Sequence, residues 1–358
     1  MKTMTNRERI LAVLQRREHD RVPFVQYDDM AGPNAEIWRL VGRNNLGVIR
    51  WTTAHRLVAP NCRILEQPIS WHGYAGVRRI LRTPGGTLFE ERLTEPAHGS
   101  ETIRKHFIQT IDDYAVYMSY LRDVSVLKDA ALFLRDQRAM GDDGLPLVDV
   151  GRTPFQHLWI EEVALTDLCG HLADEPALVG ECMELLAGIQ RRIFATVLQV
   201  HRRHPIPFIV VPDNITAPAI GRRNFSRYCL PLYRELVGMF REEGVPVLVH
   251  MDGDLKPLWK LIGEAGIDGI DSLTPPPSND TSVGQARSLW PDMRLWVNLP
   301  SAVHHFGPQA VYEQTGRILA EDGHSGLLQI QISENIPVGA WRTSFPAIVT
   351  AIEEFGTP

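Results

Sequence analysis

VPVLVHMDGDL, residues 245–255, decides how the rest of the chain is read. Val247, Leu248 and Val249 form a short apolar run rich in β-branched residues. That is the pattern of a strand buried on both faces, as in a parallel sheet. The chemistry then changes abruptly to His250, Asp252 and Asp254, with Gly253 allowing a tight turn. An imidazole and carboxylates at the carboxyl end of a buried strand stand where α/β barrels carry their active sites.

Outward from this strand the same alternation recurs. Downstream, the pattern predicts a helix over 255–263 and a strand over 266–273 that reaches Asp271. A loop and helix over 278–289 follow, then the strand RLWVNLP ending at Asn298 and a helix over 308–321. The strand GLLQIQIS runs out to Glu334, and a closing helix covers 341–354. Upstream, FIVVPDNI reads as a strand ending at Asp213 and Asn214, and a helix over 224–243 comes after it. LPLVDVGRTPF reads as a strand ending at Gly151, followed by helices over 160–172 and 176–203. At the start of the chain, Thr5-Asn6-Arg7-Glu8 is a capping-box signature for a helix over 6–17. A strand over 22–27 ends at Asp28 and Asp29, a pair that serves a site or caps the next helix with equal claim. A second strand and its turn occupy 47–58, and helices are expected over 111–122 and 126–140.

Strands separated by helix-length connections imply a parallel sheet with crossover helices. About eight strands from Val22 onward fit a closed (β/α)8 TIM barrel. No G-x-G-x-x-G follows a strand and no P-loop is present, which argues against an open doubly wound sheet. Residues 62–93 have a different texture, with short alternating runs around Thr83-Pro84-Gly85-Gly86. They read as an antiparallel excursion inserted into a single barrel domain.

The composition suits this reading. The chain has 358 residues, 44% hydrophobic and 22% charged, with a formal net charge of −6. That balance supports a substantial core and argues against a general nucleic-acid or anionic-membrane binder. The four cysteines, Cys62, Cys169, Cys182 and Cys229, form no C-x-x-C pair and read as reduced thiols of a cytoplasmic protein. No signal-peptide apolar stretch opens the chain, and no run approaches the roughly 18 apolar residues of a spanning helix.

If the barrel closes, its strand ends deliver Asp28, Asp213, Asn214, His250, Asp252, Asp271, Asn298 and Glu334 to one mouth. Asp and Asn favour the turns after strands, so any one of them means little. Their number, with a histidine among them, is the evidence. His250-Met251-Asp252 is H-x-D, and alternate strand residues face the same way. With a third ligand such as Glu334 it would make a three-residue metal site with an open position, as in catalytic zinc. The competing reading is a hydrogen-bonded His–Asp pair without metal. Asp322-Gly323-His324-Ser325-Gly326 falls one residue short of the D-x-H-x-x-G cobalamin spacing and reads as a turn. His304 and His305 either line the mouth or form a solvated helix cap. Thr274-Pro275-Pro276-Pro277 is a stiff segment that shapes a loop.

Several stretches together resemble the uroporphyrinogen decarboxylase superfamily. They are TNRERILAVLQRREHDRVPF at the start, GRTPF at 151–155, HLADEPALV at 171–179, and VPDNI with YCLPLYREL. VPVLVHMDGD, AGIDGIDSLTPPP, WVNLP and ISENIP complete the set. The resemblance implies a (β/α)8 barrel with its active site at the carboxyl ends of the strands. The decarboxylase carries an arginine-rich segment after its first strand, where this chain has Val25-Gln26-Tyr27-Asp28-Asp29-Met30. Acidic residues there would repel a polycarboxylate substrate. The zinc-dependent, corrinoid-linked methyltransferases of the superfamily carry H-x-C on this strand and a later Cys before x-Ile-Pro. Here the positions read His250-Met251-Asp252 and Glu334-Asn335-Ile336-Pro337, with carboxylates in place of both thiols.

Harder ligands leave a metal a stronger Lewis acid toward oxygen. The resemblance therefore implies removal of a methyl group from an O-methyl, methoxylated substrate. Zinc would sit on His250, Asp252 and Glu334, Asp213 or Asn214 would orient substrate, and Asp28 is a further candidate. The methyl acceptor would be cobalamin on a separate corrinoid protein, with tetrahydrofolate as substitute. The alternatives are a metal-independent decarboxylase or lyase of a small acid, using the same groups for proton transfer, and a non-catalytic ligand-binding barrel. A homodimer is expected only on analogy with the fold and the superfamily.

Overall fold

The computed structural model describes residues 3–357. Its strands, in chain order, are β1 (Phe24–Tyr27), β2 (Gly47–Thr52), β3 (His55–Val58), β4 (Arg63–Trp71), β5 (Tyr74–Thr83), β6 (Gly86–Thr94) and β7 (Glu101–Lys105). They continue with β8 (Ser125–Lys128), β9 (Gly144–Asp149), β10 (Ile209–Val211), β11 (Val247–His250), β12 (Gly269–Leu273), β13 (Arg294–Asn298) and β14 (Leu328–Ile332). The chain divides into two compact units, one of 1–54, 130–150 and 200–358, the other of 55–129 and 151–199.

The first unit holds a closed barrel in the order β1-β14-β13-β12-β11-β10-β9-β2, every pairing parallel. Leaving out the strands of the second unit, each barrel strand lies beside its neighbours in sequence. That is the (β/α)8 arrangement expected from the alternation of strands and helices. Val247, Leu248 and Val249 are completely buried, as a strand covered on both faces requires. Inside the barrel, Val25, Tyr27, Leu147, Val210, Leu248 and Trp296 share one apolar cluster, and Phe208 meets Trp296 edge to face at 4.9 Å. Ile10 and Leu14 of the first helix, Asn6–Leu14, join the same cluster. That helix starts where its capping box places it: Thr5 accepts from the Glu8 backbone, and the Glu8 carboxylate takes the Thr5 N–H. No helix among the described residues is long and apolar enough to cross a membrane.

The second unit carries the antiparallel excursion, which is longer than expected. β4-β5-β6-β7 form one four-stranded sheet, and β3 pairs with β8 in a second. Two expected elements are therefore corrected. The strand read over 47–58 is two strands, β2 in the barrel and β3 outside it. Ser125–Lys128 opens no helix; it pairs with β3, and the helix begins only at Ala131. Val126 and Leu127 sit 69 and 71 residues from their partners Leu57 and Arg56, so local periodicity could not disclose that pairing. The helix expected over 160–172 is a π-turn, Leu158–Glu162, followed by the helix Leu165–Asp174. None of the four cysteines is in a disulfide, and Cys182 and Cys229 are buried.

Candidate active site

β11 and β12 lie in register with His250 beside Asp271. Neighbours across a parallel ladder face the same side, so the imidazole and the carboxylate meet: His250 Nδ1 lies 2.8 Å from an Asp271 oxygen. Asp271 is fully buried and takes two further donors, the Tyr27 hydroxyl from β1 and Gln331 Nε2 from β14 at 2.9 Å. With Asp271 accepting from three donors, Nδ1 keeps its proton in either charge state of the imidazole, and the proton that His250 gains or loses is the one on Nε2, which is turned the other way. Nε2 approaches Asp252 at 3.6 Å, an ion-pair distance rather than a hydrogen bond. Trp51 lies 6.5 Å from the imidazole, ring centre to ring centre, and meets Tyr27 edge to face at 5.5 Å.

Burial alone would discharge His250. The carboxylates of Asp252 and Asp271 outweigh it and hold the imidazole up at about 9. Burial and then the Asp271 charge push the Tyr27 hydroxyl well above its ordinary range, so it stays a neutral donor.

β12 is irregular at this point. Its register with β13 shifts between Ile270 and Leu273, and Ser272 has φ +65°, a conformation unusual for a residue with a Cβ. The irregularity brings two successive side chains into the same network. Ser272 Oγ donates to Ser333 Oγ at 2.8 Å and accepts from Gln331 Nε2 at 3.1 Å, while its neighbour Asp271 holds His250.

Glu334 follows β14. Asn298 Nδ2 donates to its Oε1 at 2.6 Å and the Ser301 N–H donates to the same oxygen at 3.1 Å. Burial raises its carboxyl above the ordinary value, and those two donors work against the rise. Asn298 is in turn oriented by the Ser333 N–H at 3.0 Å. Asn298 is therefore the holder of Glu334, a role that strand-end position did not disclose.

Most of the remaining candidates are held by partners of their own. Asp213 is fully buried, and the Tyr233 hydroxyl donates to it at 2.6 Å. Asn214 beside it is half-buried. Asp28 is joined to Arg50 at 2.6 Å and takes Asn34 Nδ2 at 2.7 Å. Its charge is largely answered by Arg50, so the repulsion expected against a polycarboxylate loses its force at this residue. Asp29 accepts the Asn34 N–H at 2.7 Å at the start of the next helix, the capping alternative. Asp254 secures a loop, taking the Asp280 N–H at 3.0 Å, and does not reach His250. His304 is no solvated cap: it is buried, and neither ring nitrogen has a partner among the described residues. Tyr27, Ser272 and Gln331 were missed from sequence. Tyr27 and Gln331 look like ordinary strand residues, and the one available signal was the unusual run of polar residues in LQIQIS.

The donor set fits zinc in part. Two ligands on one tetrahedral zinc, each at about 2.1 Å, lie roughly 3.4 Å apart, close to the His250–Asp252 separation. A carboxylate behind the ligating imidazole is the usual support of such a histidine. The third donor does not close: among the described residues no three His, Cys, Asp or Glu side chains converge on one point.

Enzymes built on a (β/α)8 barrel carry their active sites at the carboxyl ends of the strands, where His250 is anchored here. The uroporphyrinogen decarboxylase (URO-D) family model matches residues 164–329, a stretch that contains His250, Asp252, Asp271 and Asn298 and stops short of Glu334. The match supports a place in the uroporphyrinogen decarboxylase superfamily, whose enzymes include decarboxylases and zinc-dependent methyltransferases. A search of curated proteins found no match.

Proposed function

We propose that the chain is a methyltransferase of this superfamily, removing the methyl group of an O-methyl substrate with zinc on His250, Asp252 and Glu334. The observation that supports it is the His250 arrangement: Nδ1 fixed on buried Asp271 at 2.8 Å, Nε2 offered beside Asp252 at 3.6 Å. When bound, the metal would polarise the ether oxygen and weaken its bond to the methyl carbon. Asp271 sets the tautomer of His250, and Tyr27 and Gln331 hold Asp271 in place. Asn298 and Ser301 hold Glu334 by Oε1, so it would offer its other oxygen. Trp51 supplies an aromatic wall beside His250. Of the expected orienting residues, half-buried Asn214 is better exposed to substrate than Asp213, which is committed to Tyr233. The methyl acceptor is cobalamin on a separate corrinoid protein, with tetrahydrofolate as the substitute.

A second reading has its own support. The three metal donors do not converge, and His250 stands between two carboxylates. That geometry also suits proton transfer by His250 in a decarboxylase or lyase acting on a small acid.

Metal content by plasma mass spectrometry separates the two. The methyltransferase reading expects about one zinc per chain, lost in His250→Ala and reduced in Glu334→Ala. It also expects turnover of a methoxylated aromatic with cob(I)alamin. No zinc after reconstitution, with no thermal stabilisation on adding it, would overturn that reading in favour of proton transfer.

A further inference from the structure

One face of the sheet β4–β7 is made mostly of exposed and half-buried side chains. Antiparallel register sorts its residues strictly. Arg63, Leu65, Gln67, Ile69 and Trp71 of β4 align with Arg82, Ile80, Arg78, Gly76 and Tyr74 of β5 on one face. Phe89 and Glu91 of β6 and Lys105 of β7 continue that face. The other face carries Leu81, Leu88 and Glu90, all buried.

Charge is sorted with it. The outward face holds five cations, Arg63, Arg78, Arg82, Arg104 and Lys105, against one carboxylate, Glu91. Glu91 is only 1% exposed and is clamped by Arg78 at 2.6 Å and by Arg104. It balances the cations above it without presenting negative charge to solvent. The chain as a whole carries −6, so this face opposes the charge of the whole molecule. On the rung between Arg63–Arg82 and Arg78 stand the apolar side chains Leu65, 38% exposed, Ile80 and Phe89, and the face ends at the β4–β5 turn in Trp71 at 44% and Tyr74 at 48%. Aromatic residues and arginine around an apolar centre are what protein interfaces concentrate, and such residues carry most of their binding energy.

We propose that this face docks a protein whose surface presents carboxylates around an apolar centre. Charge complementarity selects that partner. A nucleic acid is disfavoured because two of the three rings on this face already lie beneath cations. Arg104 lies over Trp71 at 5.2 Å, while Lys105 at 3.1 Å and Arg78 at 4.9 Å lie over Phe89, leaving Tyr74 as the uncovered ring where a run of bases needs several. A second copy meeting this face through its own would set cations against cations. Strand addition at the edge is blunted by Pro68 in the middle of β4, so docking is by the face. None of this depends on the chemistry proposed for the barrel.

The test is fluorescence anisotropy with the full chain and a labelled peptide of alternating glutamate and leucine. A lysine–leucine peptide and a labelled oligothymidylate are the comparators. Arg63 and Arg82 are exposed and make no ion pair or hydrogen bond among the described residues, so Arg63→Glu with Arg82→Glu leaves the sheet intact. The expected result is saturable binding of the acidic peptide, weakened about tenfold by the double variant and by a rise from roughly 50 to 300 mM salt. Tyr74→Ala, which changes no charge, weakens it as well. Equal binding by wild type and double variant would overturn the proposal. So would tighter binding of the oligonucleotide, or wild-type self-association that the double variant abolishes.

Discussion

Asp271 never reaches solvent, yet it decides what His250 can do. Three donors converge on it, and replacing it with asparagine keeps its shape while turning an N–H₂ group toward donors that need an acceptor. Asp271→Asn is expected to lower kcat by about a hundredfold or more, with the fold retained by circular dichroism. Tyr27→Phe removes one donor of three and is expected to cost less, about tenfold. Equal losses in the two variants would show that Asp271 does not act through the tautomer of His250. His304 supplies a pH prediction free of the site's chemistry. Burial, and then the nearby His305, push it down to about 4. Its folded value is below its unfolded one, so the neutral form is favoured by folding. Above about pH 6.5 the histidine is neutral in both states and carries no proton penalty; as pH falls from there through 4 the fold loses up to about 3 kcal/mol, because the unfolded chain takes the proton first. His304→Leu replaces two unpartnered nitrogens with hydrocarbon. It is expected to be neutral or stabilising at pH 7 and to flatten the acid limb of urea-unfolding stability against pH; an unchanged limb would refute this.

At the scale of elements, the turn after β11 carries Asp252 and is built on a close approach. A Cβ on Gly253 would lie 2.2 Å from the Thr216 Cβ and 2.8 Å from its Cα, and the Gly253 N–H donates to Ile215 at 3.1 Å. Gly253→Ala must push the turn away. The expected cost is about 1–3 kcal/mol in chemical denaturation, with weaker zinc uptake than wild type, because Asp252 is displaced from His250. A variant as stable as wild type would show that the turn yields freely. Gly253 was legible in VPVLVHMDGDL as a turn residue, and so were the strand and its polar end, because burial on both faces writes an unbroken apolar run. The barrel order was legible for the same reason, strand by strand. What could not be read was anything set by contacts distant in sequence. Asp271 stood on the list of strand ends, but its grip on His250 depends on register between β11 and β12 and on the irregular backbone at Ser272. β8 was mistaken for helix because its partner is far upstream. Asn298 was read as a mouth residue of its own, whereas it serves Glu334 from the neighbouring strand.

On the scale of the whole molecule, the two proposals occupy separate units and predict separate footprints. His250, Asp252 and Glu334 all lie in the barrel unit; the basic sheet face lies wholly within 55–129. Anything that binds the folded state alone suppresses opening where it binds, by about 2.7 kcal/mol at a hundredfold excess over its Kd. Zinc at the barrel mouth should therefore slow amide exchange around 247–254, 269–273 and 328–336. Residues 63–105 should be unaffected, because no donor of the site comes from them. The glutamate–leucine peptide should do the reverse, protecting β4 to β7 and leaving the β11 turn as it was. Hydrogen exchange read by mass spectrometry on the full chain resolves both footprints in one experiment. The zinc footprint has a specific competitor in the half-exposed thiol Cys62 and the exposed thiol Cys169, since thiolates bind zinc without any built site. Protection centred on those cysteines, with 247–254 unchanged, would remove the metal from the barrel and leave His250 to proton transfer. Protection at the strand ends that disappears in His250→Ala would place it there. The raised value of His250 sharpens the expectation, because a bound metal must displace its proton. The footprint should strengthen as pH rises from 7 toward 9, whereas the peptide footprint, held by four arginines and by Lys105, whose value burial lowers, should not strengthen over that range.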